Sequence, residues 1–542
     1  MRKLLPLTAL LCACSTPPMP SQSLDTESTI IRSEAFRAHV HFLASDLLEG
    51  REAGTRGYDL AAHYVATQFD LMGLTPAGAD DGFFQTVPLR AAWRDPAAMA
   101  LTIAHGTTSQ TLTFKDDYLL RNSATTTSSR VDSDAVFVGF GIDAPGRQHN
   151  DYAGLDVSGK TAVVLSGFPT GWPSEEGAFF SSGSHKLKTA EANGAVAVLF
   201  VYTDAMETVA PWARMTQNTD AVSMSWLQSD GVPRTAAPGI RLGGILSPDA
   251  AAYLFEGAPK TYAEVRAEAV AGTPQGFALI QSVQLRAGSR FEDRHSANVA
   301  GMVMGTDPKL RDEYVVITAH LDHLGIGTPV DGDTIYNGAL DNAAGIAAML
   351  EAARALQLDP PRRSVLFLAV NAEEKALLGS EYFAFNPTVP IDAIIANVNL
   401  DMPVLLYDFE DLIGFGADHS SLSDTLRSTL ADMNLGLAPD PFPEQAIFVR
   451  TDHFRFVQQG IPAISLATGR GIDANDANTF SSLIGFIRTH YHQPSDDLSR
   501  PIHYAAGARF AEVNYRLLKS IADADTAPRW NTGDFFGDRF GR

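Results

Sequence analysis

Three short apolar runs between residues 314 and 401 each end in side chains that demand partners. Residues 314–319 (YVVITA) lead into His320, Leu321, Asp322 and His323. Residues 364–370 (SVLFLAV) lead to the adjacent pair Glu373 and Glu374, and residues 393–400 lead to Asp401. Between the first two runs a Gly-rich loop reaches Asp341 and Asn342, which open a helical pattern. Such runs read as strands, and in open α/β sheets ligands sit beyond the carboxyl ends of parallel strands. The acidic and histidine groups are therefore predicted to converge on one side of one sheet, and a metal site is the leading expectation.

At 542 residues the chain is too long for one core, so two or more domains are expected. Its 45% hydrophobic and 19% charged content is ordinary for a globular protein. The formal charge of −22 argues against binding nucleic acid or an anionic membrane through a basic surface.

At the N-terminus, Arg2 and Lys3 precede a short apolar run over residues 4–11, too short to span a bilayer. The stretch Leu11, Cys12, Ala13, Cys14 resembles a bacterial lipobox, which implies acylation at Cys14, with Ser15 favouring outer-membrane sorting to the periplasmic side. The alternative is a plain signal peptide cut nearby. Both cysteines lie in this leader, so any transition metal must be held by histidine and carboxylate. Residues 15–30 read as a flexible tether.

Helical patterns follow from Arg32 and after Gly57, the second stopping at Gly73, with a turn at Glu49, Gly50 and Arg51 between them that reads as structural. Residues 131–255 alternate short strands, loops and one helix over residues 186–192. Ser247 is an expected N-cap, with Pro248 in the first helical turn. Ser296 is expected to start a strand that rejoins the main sheet. A helix over about residues 504–522 is followed by a polar tail expected to lie over the surface.

Two divalent ions close together need a shared anionic ligand and further carboxylates, with imidazoles completing the set. His320, Asp341, Glu374, Asp401 and His492 supply this. The simplest allocation gives each metal one histidine and one terminal carboxylate, with Asp341 shared. Glu373, beside a ligand, is the natural general base. The Asp322 carboxylate is expected to accept the second ring N–H of His320.

The chain here resembles the M28 family of zinc aminopeptidases with two co-catalytic metals. The resemblance is carried by residues 320–325 (HLDHLG), 338–345 (GALDNAAG), 372–374 (AEE), 399–401 (NLD) and 491–496 (YHQPSD). It implies an α/β fold with a mixed, mostly parallel central sheet flanked by helices. It also implies two zinc ions, for which manganese or cobalt is an alternative. One metal is then expected on His320 and Asp401, the other on Glu374 and His492, and both on Asp341. By the same resemblance Glu373 is the base, Asp322 orients His320, and Tyr491 donates to the oxyanion. The implied substrates are peptides with a free N-terminus.

Residues 116–280 resemble a protease-associated domain, through Asp151, Tyr152, Gly154 and Leu155, then Gly159 and Lys160, then Lys188, Thr189 and Ala190 ahead of Gly194 and Ala195. As an insertion it is either a cover over the crevice or a passive module. The expected division is thus a leader at 1–14, a tether at 15–30, peptidase segments at 31–115 and 281–525, the insertion at 116–280 and a tail at 526–542.

His323 and His490 are expected beside the ligands or at the rim, His453 is open between a functional and a structural role, and Lys375 is expected to be solvated. The alternatives to peptide hydrolysis are glutaminyl cyclisation with a single zinc, a catalytically silent binding module, and di-metal phosphoester chemistry.

Overall fold

The computed structural model describes residues 30–542 apart from 217, 218, 220, 273, 442 and 472–477. The expected leader, Cys14 and the tether up to residue 29 lie outside the described residues.

Two helices come first, α1 (Ser33–Leu43) and α2 (Arg56–Met72). Phe36, Val40 and Leu43 on α1, and Ala61, Val65 and Phe69 on α2, are buried at helical spacing. The second helix stops at Gly73, whose φ of 76° is left-handed and favours glycine. Next come β1 (Phe84–His105), β2 (Tyr118–Leu120), β3 (Ser128–Phe137), β4 (Thr161–Leu165), α3 (Ser174–Ser181), α4 (Gly183–Ala192), β5 (Ala197–Val201) and β6 (Leu242–Leu246). The expected N-cap is present, with Ser247 accepting from the Ala250 N–H. The long strand β7 (Phe277–Val303) precedes β8 (Tyr314–His320), α5 (Ala344–Leu358), β9 (Ser364–Val370), α6 (Leu378–Phe385) and β10 (Ile394–Leu400). The chain ends through β11 (Asp411–Phe415), α7 (Leu422–Asp432), β12 (Gly436–Ala438), β13 (Ala463–Thr468), α8 (Tyr504–Asp523) and α9 (Phe535–Phe540).

Most of the described strands join in one 16-stranded sheet whose main path is β12-β11-β13-β10-β8-β9-β7-β3-β4-β5-β6-β2. Strands β13, β10, β8 and β9 run parallel, as do β3, β4, β5 and β6. Strand β7 is antiparallel to both of its neighbours, β9 and β3. The fold is the expected mixed, mostly parallel α/β architecture flanked by helices.

Period-two alternation sorts β8 between two cores. Val315, Ile317 and Ala319 pack with side chains of α1, α2, α5 and α8, whereas Val316 enters the cluster on the opposite face. Burial on both faces explains why these strands are apolar throughout. Truncating Ile317 to Ala in such a core costs about 2–5 kcal/mol.

The strand expected to start at Ser296 starts instead at Phe277, so the expected boundary at 280/281 falls inside a continuous 27-residue strand. Its early half pairs with β3, and Val299 to Val303 pair with Ala369 to Val365 of β9. The charged stretch 290–295 interrupts the apolar pattern in sequence but is held against β1. Asp293 pairs with Arg90 at 2.6 Å, and the Arg290 guanidinium lies 4.4 Å over the Trp93 ring.

The C-terminal tail is likewise more than a surface strap. Phe536 is fully buried against Phe448 and Phe454. Beside it His419 bridges Asp534, the N-cap of α9, and Glu175 of α3, each at 2.5 Å. The Trp226 indole N–H also donates to Glu381 of α6 at 2.8 Å. The segment 116–280 is therefore docked on the main lobe by polar bonds as well as by the shared sheet.

Candidate metal centre

The parallel register sets the ends of three strands level. His320 of β8 lies opposite Val370 of β9, and Ala319 lies opposite Leu400 of β10. One further residue brings Asp401, and a short loop beyond β9 brings Glu373 and Glu374.

His320, Asp341, Asp401, Glu374 and His492 converge as expected. Asp341 stands between two groups with one oxygen toward each. Its Oδ1 is 3.1 Å from His320 Nε2, which is 3.2 Å from Asp401 Oδ1. Its Oδ2 is 3.3 Å from His492 Nε2, which is 3.1 Å from Glu374 Oε2. Nitrogen and oxygen atoms around one cation with bonds of about 2.0–2.2 Å lie at such separations.

A third imidazole joins them. His323, expected beside the ligands or at the rim, is fully buried, with Nδ1 2.7 Å from Glu374 Oε1. His323, Asp341 and Glu374 offer ligand atoms within 4.8 Å of one another, as do His320, Asp341 and Asp401. Both His323 nitrogens and Glu374 Oε1 are buried without a hydrogen-bond partner. Such orphaned lone pairs are costly unless a cation takes them, so the residues present fit a metal. With no sulfur among them, zinc, manganese and cobalt all suit the donor set.

The surrounding frame is made largely of backbone hydrogen bonds. Asp496, fully buried, accepts the Leu340 and Asp341 N–H groups at 3.0 Å each. Asn342 donates to the carbonyls of His320 and Leu400 at 3.3 and 2.9 Å, tying β8 to β10. Its Oδ1 accepts the N–H groups of Gly345 and Met402, both at 3.1 Å, at the start of α5 and just beyond Asp401. The Asp341–Asn342 peptide bond is cis.

The orienting partner of His320 differs from expectation. Its Nδ1–H donates to the Asp322 backbone carbonyl at 3.1 Å, while the Asp322 carboxylate is 3.9 Å away. That carboxylate instead accepts the Glu373 and Glu374 N–H groups, at 3.0 and 3.3 Å. Either acceptor on Nδ1 leaves Nε2 as the nitrogen that faces Asp341 and Asp401. Asp322 therefore orients both the histidine and the glutamate pair, by different atoms.

Arg51 lies under the centre, fully buried. It donates to the carbonyls of Leu321, Asn337 and Gly338 at 2.9, 2.7 and 3.1 Å, and to that of Leu43. The turn before it uses Gly50 at φ 67°, where a Cβ would come within 2.5 Å of the Tyr336 carbonyl oxygen. The turn is structural, as read from the sequence, and it holds the loops bearing His323 and Asp341. Lys375 is not solvated as expected: its side chain is 8% exposed and paired with Glu52 at 2.9 Å.

Charge crowding perturbs the titrating groups. Burial pushes the Glu373 carboxyl well above the usual carboxylate range, with His320 opposing and Asp401, Glu374 and Asp452 adding to the rise. Burial acts on Asp341 in the same sense, but hydrogen bonds from His320 and His492 overcome it and hold this carboxyl well below its ordinary value. Burial and the anions of Asp341, Glu374 and Glu373 keep the Tyr491 phenol protonated, its pKa well above normal. The Tyr491 ring stacks on His492 at 3.8 Å between centroids.

The remaining histidines near the ligands lie outside both groups. His490 Nδ1 pairs with the Ser495 hydroxyl at 2.8 Å. His453, left open by the sequence, is buried against Phe448 and bonded to the Thr451 hydroxyl at 2.7 Å. Its apolar surroundings push its pKa down to about 3.

The stretch that carries these groups is similar to known proteins. Residues 298–518 match Peptidase family M28. The M28 match contains every candidate ligand together with Asp322, Glu373 and Tyr491. Among curated relatives, probable leucine aminopeptidase 2 of Aspergillus oryzae is 26% identical over 262 residues, 46% of this chain and 50% of that protein. Aminopeptidase Y of Saccharomyces cerevisiae is 27% identical over 195 residues, 35% of this chain and 32% of that protein. The chain thus spans about half the length, or less, of the curated relatives it matches. The solved aminopeptidase from Aneurinibacillus sp. strain AM-1 aligns over 90% of this chain and 93% of its own, with a TM-score of 0.52 and 20% identity, a likeness of fold.

Proposed function

We propose that the protein is a metal-dependent aminopeptidase that removes residues from the free N-terminus of peptides, with two divalent cations, zinc foremost, held by His320, Asp401, Asp341, Glu374 and His492. The observation that carries this reading is the stance of Asp341, one carboxylate oxygen toward each of two opposed ligand groups. The M28 match and the curated aminopeptidase relatives support the amide as the bond attacked and the peptide as substrate.

Cations bound there supply Lewis acidity toward the scissile carbonyl and lower the pKa of the attacking water. Glu373, kept among anions at the edge of the site, takes the proton of that water and hands it to the leaving amine. Tyr491, held protonated, donates its hydroxyl to the oxygen on which charge develops. Asp322 fixes Glu373 through the backbone and keeps His320 Nε2 free.

The test is a panel of aminoacyl and N-blocked substrates with and without chelator. Chelator-sensitive cleavage of free aminoacyl substrates and inertness of the blocked ones is expected; cleavage indifferent to chelator, or none at all, defeats the reading. Cyclisation of N-terminal glutamine with one bound equivalent of metal would redirect it to the cyclase chemistry.

The segment 116–280 is read as a protease-associated insertion that limits access to the crevice. Lipidation at Cys14 and a place on the periplasmic side of the outer membrane complete the reading. No helix among the described residues is long and apolar enough to cross a membrane. Metabolic labelling with a radioactive fatty acid, abolished by Cys14→Ser, is the expected outcome.

A further inference from the structure

We propose that His323 is a ligand in its own right at the Glu374 position. That position then has four protein side chains, Asp341, Glu374, His492 and His323, against three at the His320 position. This inference rests on the di-metal reading above and goes beyond it, by making the two positions unequal.

The first ground is the state of the imidazole. His323 is fully buried and neither ring nitrogen has a hydrogen-bond partner. A neutral imidazole carries one N–H and one lone pair, and burying both unmet costs free energy that folding must recover elsewhere. The one close neighbour is Glu374 Oε1, 2.7 Å from Nδ1 and otherwise without a partner. Two such atoms converging on one spot suit a shared cation.

The second ground is that the ring is deliberately housed. Gly338 sits at φ 59°, and a Cβ there would lie 2.1 Å from the Asp341 carbonyl oxygen and 2.6 Å from His323 Cγ, so the ring packs directly on the loop that carries Asp341. The His323 N–H donates to the Arg51 carbonyl at 3.2 Å, which ties the residue to the buried arginine turn. The ring centroid is 5.8 Å from that of His492, so both imidazoles border the same carboxylates, with Nδ1 of His323 3.9 Å from Asp341 Oδ2. A residue merely filling space beside the ligands has no need of the bare nitrogen.

Unequal positions differ in chemistry. A cation with four protein ligands is closed, whereas one with three keeps room for water or substrate. The Glu374 position is then the one that fills first and empties last. The His320–Asp401 position would be the one with room for water or substrate.

The experiment is stepwise titration of the chelator-stripped full chain with Co2+, followed by visible absorption and by metal analysis after gel filtration. Wild type is expected to bind two equivalents, one much tighter than the other. His323→Ala should weaken the tight equivalent by more than about 100-fold, beyond what loss of an outer hydrogen-bonding partner costs, and shift its absorption bands. His323→Gln, closer in size, serves if the alanine variant fails to fold, and apoprotein melting checks that. Unchanged affinity and bands in both variants, or two equivalents of equal affinity in wild type, overturn the inference while leaving the di-metal reading intact. Fewer than two equivalents in wild type overturns the di-metal reading and this inference with it.

Discussion

Asp496 accepts the backbone N–H of Asp341 at 3.0 Å, from a position 155 residues further along the chain. Because the same carboxylate holds the Leu340 N–H, the segment delivering the shared ligand is pinned from outside its own loop. Asp496→Ala leaves two buried donors unmet, a loss of about 1–3 kcal/mol for each. Metal affinity should fall roughly 10–100-fold, as when partners of ligands are removed. Urea unfolding of the apoprotein and competitive metal titration measure the two effects separately, and Asp496→Asn, which keeps one acceptor, should fall between.

Replacing Glu373 by Gln preserves size and removes the base. Turnover is expected to drop by about 10²- to 10⁴-fold with both metal equivalents retained. Near-native turnover in that variant would assign proton transfer elsewhere.

Arg51 reaches four carbonyls with one planar fork, which lysine cannot reproduce. Arg51→Lys is expected to cost about 2–4 kcal/mol of stability through carbonyls left without donors. Denaturant titration checks this. Because two of those carbonyls belong to Asn337 and Gly338, metal uptake should weaken in the same variant.

The clamp at His419 makes stability depend on alkaline pH. Burial lowers its pKa, but Asp534 and Glu175 overcome that and raise it to about 9. A raised histidine stabilises the fold fully below its unfolded value of about 6.5, and that contribution disappears as pH rises through about 9. Its size is on the order of 3 kcal/mol. Melting temperatures should therefore fall between about pH 6.5 and 9, and His419→Gln should flatten that slope.

The three metal-facing strands were legible because β8, β9 and β10 are buried on both faces and so are written as unbroken apolar runs. Asp341, Glu374, Asp401 and His492 could be placed because each follows a strand or precedes a helix in a recognisable motif. His323 was expected beside the ligands or at the rim, and it lies buried beside Glu374; three positions past His320, it follows the strand end, and only the loop's path decides between the two. Arg51 and Asp496 act on backbone atoms far away in sequence, and a hydrogen bond to a carbonyl leaves no mark on the residue that owns it. Lys375 was misplaced because residue type predicts average exposure, whereas Glu52 decides its own; the tail was misplaced because its polar majority masks Phe536, which packs on Phe448. The continuity of β7 was hidden by charges that find their partners on β1.

Strand β7 carries the hydrogen-bond ladders of β3 at one end and β9 at the other without interruption of the chain. The two lobes are thus spliced along one girder and cannot swing about a flexible joint between them without tearing rungs from it. Traffic into the crevice must be governed by loops and side chains at its rim, while force applied to the outer lobe runs down this girder to the strand that ends at Val370, just ahead of Glu373.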